Sequence, residues 1–226
     1  MIKRMTGAIL LGMIGCALLV ALGVWQVQRL AWKEALLAEI DARIEDAPVA
    51  LPDDPREERH QYMPVELSAT ILEGEITILA SLRNAGPVYR IIRAVETAAG
   101  RRILVDMGFV QETEHLADRP YGARVELVGN LYWPDETDAF TPEPDRAAGI
   151  WFARDIPAMA AELDTEPVLV VLREAPRGGL GVTPFPVGTG AIPNDHLSYA
   201  ITWFLMAVAW LGMTLTLLWR IKQRIN

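Results

Sequence analysis

Two long uncharged stretches lie near the ends of the chain. Residues 8–25 carry no charged side chain over 18 positions, and residues 197–219 carry none over 23 positions. A helix of 18 residues spans about 27 Å, which is just enough to cross the hydrocarbon core of a bilayer. The pattern therefore predicts a membrane protein with two transmembrane helices, residues 8–25 and 194–219. They flank a central domain in the sequence and are expected to form a hairpin.

Charges outside the two stretches predict their orientation. Basic residues without any acidic ones flank the stretches at both ends of the chain: Lys3, Arg4, Arg220, Lys222 and Arg224. By the positive-inside rule, the tails 1–7 and 220–226 are cytoplasmic. Residues 30–196 hold all 29 acidic residues and have a net charge of −14. The segment between the helices is therefore expected to be the exported part.

A basic start before an apolar stretch is also typical of a cleaved signal peptide. Ala21 and Gly23 offer a weak small-residue cleavage site. The stretch is, however, longer than the apolar region of about 7–15 residues in most signal peptides. It also ends at Trp25 and Arg29, residue types that anchor helices at the membrane interface. The pattern favours an uncleaved anchor.

Small residues on the first apolar stretch predict a face for close helix packing. They are Ala8, Gly12, Gly15, Cys16 and Gly23, and the second stretch offers Ser198, Thr202, Ala209 and Gly212. Small side chains allow two membrane helices to approach closely, although glycine and alanine are also simply common in such helices. Direct pairing of the two helices is expected.

The first helix is expected to continue beyond the membrane as an amphipathic extension over residues 26–47. Its apolar positions fall on one helical face before Pro48: Leu30, Leu37, Ile40 and Ile44. The spacing of three, four and seven residues is typical of a helix with one packed side. A proline after the last apolar position favours an end of the helix there.

Short runs with alternating or β-branched residues follow between residues 48 and 175. They cover residues 64–72, 75–82, 88–97, 101–110, 123–133 and 166–175. Their short connections, including a turn at Ala99 and Gly100, predict a mainly antiparallel (α+β) sheet domain or partly closed barrel. One short helix is expected near residues 155–164, with Asp155 as its cap. The segment 176–193 is rich in glycine and proline, and it is interpreted as a linker rather than a docking surface.

Composition narrows the classes of function. Hydrophobic residues make up 51% of the chain, and a net charge of −8 is the wrong sign for a protein that binds nucleic acid through phosphates. The single cysteine, Cys16, excludes an internal disulfide and a multi-cysteine metal site. The sequence contains no GxSxG, SxxK, HExxH or Walker motif. Its many carboxylates are expected to be solvated, and no enzyme class is supported.

The outer ends of the two helices hold the strongest candidate site. Trp25, Gln26 and Arg29 finish the first helix, and His196 and Tyr199 begin the second, with Trp203 one turn further on. The positive end of a helix dipole disfavours a protonated imidazole, and a neutral imidazole is what haem iron binds. Arg29 could then pair with haem propionates, while Tyr199 and Trp203 flank the ring.

The same residues have a simpler interpretation. His196 can be a hydrogen-bonding residue at the interface, the aromatic residues can belong to the membrane belt, and Arg29 can reach from the helix to the headgroups. One histidine does not decide between these alternatives.

The residues that flank the membrane are similar to those of a known family. GVWQVQRLAWK at 23–33 and NDHLSYAITWF at 194–204 resemble the terminal signatures of the surfeit-locus-1 (Shy1-type) family of cytochrome c oxidase assembly factors. ILVDMGFV at 103–110 and WFARDIPAMA at 151–160 resemble internal stretches of that family. The third stretch departs from the family pattern at Met107 and Phe109, where arginine and tryptophan are usual.

The resemblance implies assistance in oxidase maturation rather than catalysis. It implies haem a as a transient ligand. The histidine of the second signature corresponds to His196, and residues of the first signature correspond to Trp25, Gln26 and Arg29. It also implies the oxidase catalytic subunit as partner, with haem a synthase as a second candidate. The short tail before the first helix leaves no room for a mitochondrial transit peptide, so a bacterial inner membrane with a periplasmic central domain is expected.

Two alternatives remain at the level of sequence. The chain could be a scaffold for the oxidase subunit that makes no contact with haem. It could instead be a membrane-anchored periplasmic enzyme that uses carboxylates of the sheet domain.

Overall fold

Helices lie at both ends of the chain and strands lie between them. A computed structural model describes residues 2–82, 86–114, 119–176 and 180–223. In chain order the elements are α1 (Ile2–Glu45), β1 (Val49–Ala50), α2 (Glu57–His60), β2 (Pro64–Leu82), β3 (Gly86–Thr97), β4 (Arg102–Gln111), β5 (Arg124–Leu131), β6 (Ile150–Trp151), α3 (Ile156–Leu163), β7 (Glu166–Leu172) and α4 (His196–Gln223). Contacts divide the chain into two compact units, residues 1–39 with 189–226 and residues 40–188.

The two apolar stretches lie in the long helices α1 and α4. Helix α1 runs for 44 residues without a break and so contains both the first apolar stretch and its amphipathic extension. By length and composition, both helices are capable of crossing a membrane. Large apolar side chains such as Ile14 and Val208 are mostly exposed on them, as a lipid-facing surface requires. The coarse prediction of two such helices, one before and one after a mostly sheet domain in the chain, is confirmed.

Within the described residues, seven strands form one sheet that closes on itself. Neighbouring strands follow the order β1-β2-β3-β4-β7-β5, and β5 pairs again with β2, so that β2, β3, β4, β7 and β5 form a barrel. The longest pairings, β2 with β3, β3 with β4 and β2 with β5, are antiparallel as predicted. The pairs β1–β2, β2–β6 and β4–β7 are parallel, so the sheet is mixed.

One strand replaces two of the predicted ones. The runs 64–72 and 75–82 are continuous in β2, with a shift in register between Ile71 and Glu75. Gly74 supplies this bulge with a φ of +93°, a conformation that costs little only for glycine. The bend allows the first half of β2 to pair with β5 and the second half to pair with β6.

The two larger of three apolar clusters among the described residues lie on opposite faces of the sheet. Alternate residues of β4 enter different cores, since Val105 packs with Ile71 and Leu127 while Leu104 packs with Met159 of α3. Both faces of β4 and β7 are therefore buried, which explains why these strands are apolar almost throughout. Asp155 accepts a hydrogen bond from the Ala158 amide at 3.1 Å, which confirms the predicted cap of α3.

Part of the segment interpreted as a linker is paired with the sheet. The Thr183 amide donates to the Phe109 carbonyl at 2.8 Å, and the Phe109 amide donates to the Thr183 carbonyl at 2.8 Å. Gly108 makes this possible, because a Cβ atom there would collide with the Thr183 carbonyl. The linker interpretation was therefore incomplete, since glycine and proline content shows neither a partner nor its absence.

A buried group of charges lies against β4, although sequence reasoning assigned the carboxylates to solvent. Asp106 is fully buried, and it accepts hydrogen bonds from Arg90 Nε at 2.9 Å and Arg154 Nη1 at 3.4 Å. Arg154 also bonds to Glu136. Burial raises the pKa of Glu136, but the hydrogen bonds and positive charge of Arg154 lower it by more, and the resulting pKa is below 4.5.

Asn130 fastens the end of α1 to the barrel. Its Nδ2 donates to the carbonyls of Ile44 at 3.0 Å and Tyr62 at 2.8 Å, and its Oδ1 accepts from Arg173 Nε at 2.9 Å. The side chain is fully buried. Loss of these bonds would leave buried polar groups without partners, which is costly in a protein interior.

We expect Asn130→Ala to lower the free energy of unfolding by about 2–4 kcal/mol. Thermal or denaturant unfolding of the purified chain in detergent measures this change. Glu73→Ala, at an exposed position of β2, is the control and should stay within about 0.5 kcal/mol of the parent. Equal effects of the two substitutions would contradict the assigned role of Asn130.

The lowered pKa of Glu136 predicts a pH-dependent contribution to stability. A carboxyl group with a lowered pKa in the folded state stabilises it above the ordinary pKa, and this stabilisation disappears as pH falls through the lowered value. Glu136→Gln should therefore have a lower midpoint of thermal unfolding than the parent at pH 7. The difference should shrink below about pH 4.5. A difference that does not vary with pH would contradict this account.

Candidate functional site

Glycines on α1 accommodate large side chains of α4. The facing pairs are Gly12 with Thr214, Gly15 with Trp210 and Gly23 with Phe204. A Cβ atom on Gly23 would lie 2.7 Å from Phe204 Cε1, and a Cβ atom on either of the other two glycines would also collide with its partner. The sequence numbers rise on one helix as they fall on the other, so the helices are antiparallel. Direct pairing through the small residues of α1 is confirmed.

The predicted packing face of α4 was wrong. A Cβ atom on Gly212 would have no neighbouring atom within 4 Å, and Ser198, Thr202 and Ala209 are exposed. The packed face instead contains the buried Ala200 and Ala207 together with the larger residues paired above. Small size alone does not identify a contact face, because a large side chain of one helix can fill the space above a glycine of the other.

Trp210 fixes the pair of helices by a hydrogen bond as well as by packing. Its Nε1 donates to the backbone carbonyl of Gly12 at 3.2 Å. A buried indole N–H finds a partner in most structures, and in an apolar setting the unpaired group would be costly. The bond therefore favours one register of the two helices.

The same register brings His196 next to Gln26. His196 Nδ1 lies 2.8 Å from Gln26 Oε1, where the imidazole N–H donates and the amide oxygen accepts. Gln26 is only 8% exposed, so its side chain has little freedom to turn away. His196 is the first residue of α4 and is partly exposed. The predicted proximity of these two residues is present in the structure.

The other predicted site residues form a looser surrounding. Trp25 is 52% exposed, Tyr199 is 56% exposed and Trp203 is half-buried. The Arg29 guanidinium lies 3.9 Å from the centre of the Trp32 ring, on the same helix. Within the described ranges, Arg29 forms neither a hydrogen bond nor an ion pair. Its pairing with propionates stays a prediction.

The contact between His196 and Gln26 defines the chemistry that this site can perform. When Nδ1 carries the proton and donates a hydrogen bond to Gln26, the lone pair of Nε2 is available for a metal. Among the described residues, Nε2 has no hydrogen-bond partner, and no cluster of three or more His, Cys, Asp or Glu side chains could hold a metal ion. Within the described ranges, His196 can thus contribute one nitrogen ligand to a metal, through Nε2.

Sequence reasoning placed Gln26 and His196 at the same end of the helix pair but did not predict the hydrogen bond between them. No local pattern marks a glutamine as the partner of a histidine 170 residues away. The glycines Gly12, Gly15 and Gly23 indicate which face of α1 packs, but the α4 residue that meets each of them is known only from the structure.

The chain is similar to known proteins over most of its length. The model of the SURF1 family matches residues 13–208. Surfeit locus protein 1 of Xenopus tropicalis is 30% identical over 214 residues, which cover 84% of this chain and 68% of the relative. The SURF1-like protein of Monosiga brevicollis is 31% identical, with 85% and 80% covered. That of Rickettsia felis is 24% identical, with 87% and 90% covered.

We expect Gly15→Leu to separate α1 from α4, because a large side chain there would collide with the indole ring that faces it. Spin labels on Leu11→Cys and Leu217→Cys, with Cys16→Ala to remove the native thiol, report the distance by pulsed electron paramagnetic resonance. The distribution should broaden and move to longer distances. Gly212→Leu is the matched control, since its side chain would enter open space. The same narrow distribution in both variants would contradict the packing described.

Proposed function

The chain belongs to the SURF1 family, and from this premise we propose that it is an assembly factor for haem-copper cytochrome c oxidase. In this proposal it assists insertion of haem a into the catalytic subunit and carries out no covalent chemistry of its own. Two observations support the role: the family membership, and a histidine of suitable geometry at the end of a helix pair.

The single observation that carries the proposal is the contact between Gln26 and His196. Histidines that bind metals usually donate their second ring N–H to a fixed acceptor, which sets the tautomer and the orientation of the ring. The 2.8 Å distance and the burial of Gln26 provide this arrangement before any ligand arrives. Haem a would supply the redox-active iron of the oxidase centre, and His196 Nε2 would hold that iron during transfer.

The surroundings of His196 fit temporary rather than permanent binding. One axial histidine with partly exposed neighbours holds a haem less firmly than a closed pocket with two axial ligands would. Trp25 and Tyr199 expose aromatic surface on which an apolar ring can lie. A carrier must release its cargo to the receiving subunit, and an open site on the outside of a helix pair permits this release.

The proposed location follows from the charges that flank the helices. The tails are cytoplasmic and the acidic sheet domain is periplasmic, in the inner membrane of a bacterium. This orientation places His196 at the periplasmic end of α4, at the level of the lipid headgroups. Its partners in the proposal are the bilayer, the catalytic subunit of the oxidase and, as a donor of haem a, haem a synthase.

We expect His196→Ala to lower the haem that copurifies with the chain by at least about tenfold, since the axial ligand is lost. The measurement is the absorption spectrum of detergent-purified protein from cells that make haem a. His60→Ala is the matched control, because His60 Nδ1 accepts from the Arg56 amide at 2.9 Å within the sheet domain. Unchanged haem content in His196→Ala would show that His196 does not hold haem, and a parent chain that carries no haem but supports normal oxidase assembly would leave a scaffold without haem contact.

Substitutions of Gln26 separate orientation of the ring from ligation. Gln26→Ala should weaken haem binding about 10- to 100-fold, because Nδ1 loses the acceptor that orients the ring. Gln26→Glu keeps an acceptor at the same distance and should retain binding. Titration of the purified chain with haem a measures both. Equal affinity of the alanine variant and the parent would contradict the positioning role.

A further inference from the structure

Among the described residues, strand β5 of the barrel has a neighbouring strand on both sides at its end, but on only one side at its start. Strand β5 pairs with β7 only through Gly129, Asn130 and Leu131. On one side, β5 pairs with β2 from Arg124 to Asn130. On the other side, the part of β5 near Arg124 has no neighbouring strand within the described ranges. In the part of the chain that the structure describes, β5 therefore has an unpaired edge next to the departing end of β7.

The backbone groups at this edge point outwards in a regular pattern. The Arg173 amide donates to the Val128 carbonyl at 3.0 Å, so the backbone of Val128 points towards the β7 side. Because successive residues of a strand point to opposite neighbours, the N–H and C=O groups of Glu126 and Arg124 point to this side as well. No hydrogen bond to the described residues occupies them there. They form a template of donors and acceptors for one more strand.

A groove of about 530 Å³ runs beside the edge, and its charges are mostly negative. It is lined by Glu66, Arg124, Val125, Glu126, Val128, Glu174, Ala175 and Pro176. Three exposed carboxylates face one exposed arginine, and the Nε of this arginine donates to Ser68 Oγ at 3.0 Å. The groove thus offers the charge that attracts lysine and arginine.

We propose that the open edge of β5 binds an extended peptide segment of a partner protein as an added strand, and that this segment carries lysine or arginine at alternate positions. The backbone of the segment bonds to Glu126 and Arg124. Its basic side chains, which lie on one side of the strand, meet Glu126 and Glu174. The three carboxylates of the groove favour a basic segment over a second copy of this acidic chain, and light scattering tests the second copy directly.

This interaction surface goes beyond the proposed function, because it needs neither haem nor His196. It lies wholly within the sheet unit of residues 40–188. Failure of the peptide experiments below would leave the haem proposal untouched, and a haem-free chain would leave the edge intact.

The test uses the full chain in detergent and a fluorescent peptide, Thr-Lys-Val-Lys-Val-Thr, with Thr-Glu-Val-Glu-Val-Thr as its acidic counterpart. Fluorescence anisotropy should show saturable binding of the basic peptide, at least tenfold weaker binding of the acidic one, and weaker binding at high salt. Hydrogen exchange should slow at the amides of Glu126 and Arg124 when the basic peptide binds. Binding without this protection would overturn strand addition.

Two substitutions at one position separate the backbone from the charge. Glu126→Pro removes the N–H group that points outwards at the open edge. The hydrogen bonds between β5 and β2 remain, because Val125 and Leu127 make them. The substitution should weaken peptide binding at least tenfold. Glu126→Gln keeps the N–H and should weaken binding by a smaller factor of about two to five. Glu73→Gln, an exposed carboxylate of β2 outside the groove, is the control and should bind like the parent.

Three results would overturn the proposal. Equal affinity for the basic and acidic peptides would show that charge does not select the occupant. Parent-like binding by Glu126→Pro, with its fold verified by circular dichroism, would show that the edge is not used. A dimer of the parent chain in light scattering that Glu126→Pro abolishes would show that a second copy occupies the edge.

Discussion

The close packing of α1 against α4 is the constraint on which the candidate site depends. Three glycines on α1 leave space for side chains of α4, and the Trp210 indole bonds to the carbonyl of Gly12 across the contact. Both effects weaken if either helix slides by one turn. The register then determines which residues meet at the outer end, and these are His196 and Gln26. The position of the imidazole thus depends on packing that extends about 20 Å away along the helix axis, as far as Gly12 and Trp210.

The sheet domain depends on a different constraint, which is that five strands must close into a small barrel. Gly74 allows β2 to bend and to serve two parts of the sheet, and β5 then closes the barrel against β2 and β7. Closure is complete only where β5 meets β7, and the remaining edge of β5 stays open. The buried Asp106 of β4 accepts hydrogen bonds from two arginines, and a segment at Thr183 pairs with β4 at Phe109. The domain therefore has a closed wall with one open strand edge among the described residues.

Several elements could be predicted from the sequence because their signals are local. The cap at Asp155, the turn after Thr97 and the small-residue face of α1 all depend on neighbouring residues, and the structure contains each of them. Other predictions failed for lack of such a signal. The packed face of α4 was misplaced because large residues fill the space above glycines, and Asp106 was assigned to solvent because its two arginine partners are distant in sequence.

The sequence by itself determined that two apolar helices flank a sheet-rich, acidic domain, since length, charge and alternation of residues act over short distances along the chain. It also placed His196 and Gln26 at similar depth. Only the tertiary structure decided that these two side chains share a hydrogen bond, that β2 is one bent strand, and that β5 keeps an open edge. Each of these depends on the register between segments far apart in the chain, and register is set by side chains that interlock only once the segments are packed together.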